Sequence, residues 1–166
     1  MHNKIKIRMM TYGALIAALY VALTYLAAML GLSGGVIQIR FSEALTILPA
    51  ILPAVYAPGA VLGLFIGCIL ANALTGALVW DIVFGSIATL LGALGTYALR
   101  RVPALGWIPP VAANTVIVPL VLQHVYGVPD AWWFIALTVG IGELISCGGL
   151  GYLLYRTSGT LMKRLK

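Results

Sequence analysis

Four acids stand in the 166-residue chain, Glu43, Asp81, Asp130 and Glu143, and each lies in or beside a strongly apolar run. A carboxylate at the centre of a membrane helix costs about 2.5–3.5 kcal/mol on insertion scales, so such a group needs a partner or a task. Glu143 is the deepest. It follows the outer start of its run at Asp130 by 13 residues, roughly 20 Å at helical rise. At about 100° per residue, Trp132, Ala136, Gly140 and Glu143 share one helical face, which sets an indole above two small residues and a carboxylate. A planar, nitrogen-rich ligand needs those three things: ring space, a stacking surface and an acceptor for N–H groups. The alternative is a neutral Glu143 that bridges two helices.

Other polar residues complete the set. Arg40 precedes Glu43 by three residues, at the start of a run broken by Pro49 and Pro53. Asp81 continues a small-residue stripe with Gly85 and Ala88 and so points into the bundle. Asn72, near the outer end of one run, and Asn114, in the middle of another, each offer a donor and an acceptor. Arg40, Glu43, Asn72, Asp81, Asn114, Trp132 and Glu143 are therefore the candidate substrate-binding residues, gathered mostly in the outer half of a helical bundle. Plainer roles compete at two of them: Glu43 with Ser42 as helix caps, and Asn72 as a helix terminator. Asp130 reads as a cap at an outer helix start.

No catalytic set accompanies these residues. The sequence has no GxSxG, HExxH or Walker pattern and no Cys/His cluster. This excludes the recognisable enzyme classes and leaves no expected metal or cofactor in the chain. Cys68 and Cys147 lie in apolar runs without a partner at metal-ligand spacing and read as buried small hydrophobes.

The elements that must position the polar residues follow from composition. The chain is 62% hydrophobic and 8% charged, far below the charged share of a soluble domain, so it is an all-α integral membrane protein of one domain. Apolar runs separated by Gly, Pro and charge predict six helices over about 9–30, 42–55, 58–74, 80–99, 107–125 and 130–155. An even number places both termini on one side, together with Lys4, Lys6, Arg8, Arg100, Arg101, Arg156, Lys163, Arg164 and Lys166; only Arg40 lies opposite. Basic loops stay cytoplasmic, so both termini are expected there. Topology, rather than a nucleic-acid partner, thus accounts for the net charge of +6.

The second run is short for a span, and the alternating "VIQIRFS" before it predicts an extended segment with one polar face. Irregular backbone at membrane depth must be buried or line a wet cavity, so the connection from Leu32 to Ser42 is expected to fold over a pocket as a lid. Small residues at Gly59, Gly63, Gly67 and Ala71, and at Gly85, Ala88, Gly92 and Gly95, predict close helix contacts. Ala14, Ala18 and Ala22 form a similar stripe on the first helix, which faces either another protein or the bundle.

Three ordered stretches, "QIRFSEALTILPAILP", "PGAVLGLFIGCILAN" and "WDIVFGSIATLLGA", resemble the queuosine-precursor transporter family (QueT), substrate-binding S components of energy-coupling-factor transporters. The resemblance covers about Ala14 to Gly151. It implies a six-helix S component in the bacterial cell membrane that captures a deazaguanine-type queuosine precursor from outside. It also implies a transmembrane T component, contacted through Ala14, Ala18 and Ala22, and two cytosolic ATPases that use the ATP. The alternative is a six-helix secondary transporter of a small polar or nucleobase-like solute, working alone in the lipid.

Overall fold

The computed structural model describes residues 2–33 and 37–164, and every regular element among them is helical. The order is α1 (His2–Met29), a 3-10 segment (Phe41–Ile47) running into α2 (Leu48–Ile51), α3 (Ala57–Leu74), α4 (Val79–Ala98), a short 3-10 turn (Pro103–Leu105), α5 (Ile108–His124) and α6 (Trp132–Glu143). A π-helical stretch, Leu144–Gly151, then joins α6 to α7 (Tyr152–Arg164). Among the described residues, five stretches are long and apolar enough to cross a membrane: Asn3–Met29, Ala57–Leu74, Val79–Ala98, Pro103–His124 and Trp132–Ser158.

The stretch expected as a helix over 42–55 differs. It is a seven-residue 3-10 segment followed by a single α-turn, and it ends at Leu52 with ψ 152°. Pro49 sits in the first turn of α2, where its missing N–H costs nothing, whereas Pro53 forces the preceding residue out of the helical region. The run expected over 130–155 begins at Trp132 and widens into the π-stretch directly after Glu143.

Contacts trace the path of the short segment. Thr24 donates to Ser42 Oγ at 2.8 Å, Tyr20 donates to Glu43, and the backbone at Gly59 abuts Met9 O. The chain from Ser42 to Gly59 therefore runs antiparallel to α1, from its C-terminal half back to its N-terminal third. On its other side the same segment lies along α6 and the π-stretch, with Gln38 against Gly142, Arg40 against Ser146 and Thr46 against Cys147.

Apolar side chains gain little by leaving lipid for protein, so close packing must hold such helices together. α1 and α3 meet through glycine: a Cβ on Gly63 would overlap Gly13 O, and one on Gly67 would lie 2.8 Å from Tyr20 Cβ. Gly92 and Gly95 of α4 receive the prolines of α5, their would-be Cβ atoms lying 2.7 Å from Pro110 Cα and 2.5 Å from Pro109 Cβ. Leu62, Ile66 and Leu70 of α3 and Leu91 and Leu94 of α4 remain exposed, as lipid-facing residues do.

Two helices stop at the same level for the same reason. Gly31 (φ +72°) and Gly76 (φ +77°) take the left-handed conformation, and Leu32 N and Ala77 N donate back to Ala27 O and Asn72 O. These are Schellman closures, which satisfy the last carbonyls of a helix and turn the chain aside. They leave open space above the ends of α1 and α3.

Candidate functional site

That space is a cavity of about 610 Å³, lined by Ala28, Gly31, Ser33, Arg40, Asn72, Thr75, Gly76, Ala77, Asp81 and Tyr126. Three of the sequence-predicted residues, Arg40, Asn72 and Asp81, meet here. Tyr126, from the loop after α5, donates its hydroxyl to Asp81 Oδ2 at 3.3 Å and accepts from Leu78 N at 3.2 Å. Partial burial, with Asp81 adding to it, pushes this phenol above the usual tyrosine range, so it remains a donor at neutral pH. Gly85 makes the arrangement possible, since a Cβ there would stand 3.3 Å from Asn72 Nδ2 and 3.6 Å from Asp81 Oδ1.

A second polar group lies deeper. Glu43 is 2% exposed, Glu143 8% and Cys147 1%, and their donor atoms all fall within 4.8 Å of one another. The 3-10 segment brings Glu43 to α6, and the widened turn after Glu143 brings Ser146 and Cys147 toward it. Tyr20 donates to Glu43 Oε1, while Glu43 Oε2 has no hydrogen-bond partner. Cys147 Sγ donates to Glu143 Oε2 at 3.3 Å and to Glu43 O at 3.5 Å. Asn114 of α5, 4% exposed, faces Glu143 without closing a well-directed hydrogen bond, and its Nδ2 is unpartnered. Buried polar atoms are nearly always paired. Glu43 Oε2, an acceptor, and Asn114 Nδ2, a donor, are both left open in this buried group, and such a group can serve a ligand that both donates and accepts.

Arg40 links the two levels. It lines the outer cavity and lies within electrostatic reach of both Asp81 and Glu43. Its backbone N donates to Ser146 Oγ at 3.2 Å, and Ser146 in turn donates to Gly142 O at 2.8 Å. The backbone of Gln38 rests directly on Gly142, where a Cβ would overlap Gln38 O. The residues just before the 3-10 segment therefore lie on α6 beside Glu143.

Two expected placements change. Trp132 is 40% exposed at the first turn of α6 and does not line the cavity. It stands 11 residues from Glu143, roughly 16 Å along the axis, too far for one bicyclic ring to touch both. Asp130 is not the cap of α6: the N-cap is Ala131, and Asp130 contributes only its carbonyl, which accepts from Gln123 Nε2 at 3.4 Å. Cys147, Tyr20, Ser146 and Tyr126 join the site without having been expected there. Two of them carried a signal: Cys147 is one helical turn from Glu143, and Tyr20 shares with Thr24 a polar strip on an apolar helix.

The stripe Ala14, Ala18 and Ala22 is exposed, whereas Gly13, Ile16, Ala17 and Tyr20 are buried. Ala14 and Ala18 form one wall of an apolar groove of about 540 Å³ whose other wall includes Leu62, Gly63 and Ile66 of α3.

A family model described as QueT transporter matches residues 10–159. No curated protein and no solved structure matches the chain. The matched residues hold both polar groups and most of the chain, and the chain belongs to the QueT transporter family.

Proposed function

We propose that this transporter is the substrate-binding S component of an ATP-driven energy-coupling-factor importer, and that it captures a deazaguanine-type queuosine precursor from outside a bacterial cell. The observation that carries this reading is the buried set of Glu43, Glu143 and Asn114, with its unpartnered Oε2 and Nδ2. A deazaguanine presents a carbonyl, a ring N–H and an amine along one edge. Asn114 donates to the carbonyl, and the carboxylates accept the two nitrogens in charge-assisted hydrogen bonds. An adenine-type edge reverses the donor and acceptor next to Asn114 and leaves both sides unpaired. Arg40, Asn72 and Asp81 form the outer mouth through which the ligand arrives.

The segment from Ser42 to Tyr56 serves as a short sixth crossing, supported by its antiparallel course beside α1. Both termini and the Arg100–Arg101 loop are then cytoplasmic by their basic residues. The exposed Ala14, Ala18 and Ala22 face takes the T component, which connects to two cytosolic ATPases; a smooth alanine surface lets another helix approach closely.

The test is binding of purified protein to guanine, adenine, riboflavin, queuine and aminomethyl-deazaguanine, with Glu143→Gln alongside. The deazaguanines are expected to bind selectively. The variant loses about tenfold to hundredfold in affinity, the worth of a charge-assisted hydrogen bond. Equal binding of adenine, or an unchanged variant, overturns the ligand assignment. Uptake by vesicles that contain this chain alone would instead establish an autonomous transporter.

A further inference from the structure

We propose that Glu43, Glu143 and Cys147 form a site for a thiophilic divalent cation of the zinc type, which occupies the same carboxylates that an organic ligand uses. The donor set is one sulfur and two carboxylates, a mixture that favours zinc or cadmium over the hard cations magnesium and calcium. The geometry is nearly assembled. Bonds of about 2.3 Å to sulfur and about 2.1 Å to oxygen give a ligand–ligand edge of roughly 3.6 Å in a tetrahedron. Cys147 Sγ already lies 3.3 Å from Glu143 Oε2, and all three donor atoms fall within 4.8 Å of one another.

Proximity alone would not make a site. Glu43, at 2% exposure, keeps Oε2 without any partner while Tyr20 holds its Oε1, so one oxygen is positioned and free. Asn114, 4% exposed and facing Glu143, is also unpartnered at its amide and stands ready as a fourth group once its oxygen turns inward. Charge balances as well. A dication with two carboxylates and one thiolate sums to −1, and the Arg40 guanidinium lies within electrostatic reach of Glu43. When the sulfur coordinates, the thiol proton that now points to Glu143 leaves to solvent, as metal binding to cysteine requires.

The experiment is titration of untagged, detergent-purified protein with cadmium chloride alone, followed by the near-ultraviolet sulfur-to-cadmium charge-transfer band. One equivalent saturates the band in the native protein, and zinc abolishes it by displacement. Cys147→Ser lacks the band, Cys68→Ser keeps it, and Glu143→Gln weakens cadmium binding at least tenfold. Absence of the band, its loss in Cys68→Ser instead of Cys147→Ser, or unchanged affinity in Glu143→Gln overturns the site. Zinc-edge X-ray absorption of the native protein needs no variant. A shell of one sulfur with oxygen neighbours is expected, and an all-oxygen or two-sulfur shell overturns it. Because no organic ligand is present, failure here is distinct from failure of the deazaguanine reading. Shared occupancy does rest on that reading: zinc must lower deazaguanine affinity competitively, and independent binding of the two refutes sharing.

Discussion

Tyr20 donates its phenol to Glu43, and the residue is buried on the face of α1 that meets α3 and the 3-10 segment. Removing the hydroxyl leaves both oxygens of a buried carboxylate without a side-chain partner. Tyr20→Phe is therefore expected to cost about 1–3 kcal/mol, the penalty of an unsatisfied buried acceptor, and to lower the apparent Tm in detergent. A melting curve identical to the native protein's would mean that Glu43 finds its partner elsewhere. This residue also shows how much of the site was legible. Glu43 and Glu143 announce themselves because an acid in an apolar run is costly. A tyrosine is amphipathic and common in membrane helices, so its role depends on what faces it. Trp132 shows the converse, for its place on the helical wheel was correct while its distance along the axis kept it from the acid.

At the scale of elements, residues 37–40 and α6 are held together where one side chain is missing. Gln38 O occupies the space that a Cβ on Gly142 would take, and Arg40 N is pinned to Ser146. Gly142→Ala must push this segment off α6 and unseat the cover beside Glu143. The expected result is faster ligand dissociation measured by stopped flow, with Gly149→Ala as the control, since the nearest atom to its would-be Cβ is Leu144 O at 3.9 Å. Equal dissociation rates in the two variants would show that the segment does not cover the site. Of the stretch "VIQIRFS" expected to be extended, Arg40 is extended, Phe41 and Ser42 already belong to the 3-10 segment, and Val36 lies outside the described residues; Pro53 marks the segment's end. That the helix between them is a 3-10 coil was not readable, because hydrophobic periodicity over so few residues does not separate one helix type from the other. The π-stretch after Glu143 was hidden likewise: its glycines, Gly148, Gly149 and Gly151, fit close packing equally well.

For the whole molecule, the arrangement of basic residues predicts which ends face the cytoplasm. Cys68 and Cys147 are each 1% exposed, so the native chain gives little background with a membrane-impermeant maleimide. In intact cells Asp130→Cys is expected to label, whereas Arg101→Cys labels only after permeabilisation; both positions are exposed. Labelling of Arg101→Cys in intact cells would invert the topology. The sequence by itself determined that this is a membrane helical protein, which residues carry its few intramembrane charges, and where prolines and glycines break the chain. Those properties are local, set by transfer free energies and backbone sterics. Only the tertiary structure decided that Glu43, 100 residues from Glu143, shares one buried cluster with it and Cys147, while Arg40, Asn72 and Asp81 line a separate cavity at the ends of α1 and α3. Such proximity comes from how the small-residue faces of the helices interlock, a property of all the helices together that no single stretch of sequence contains.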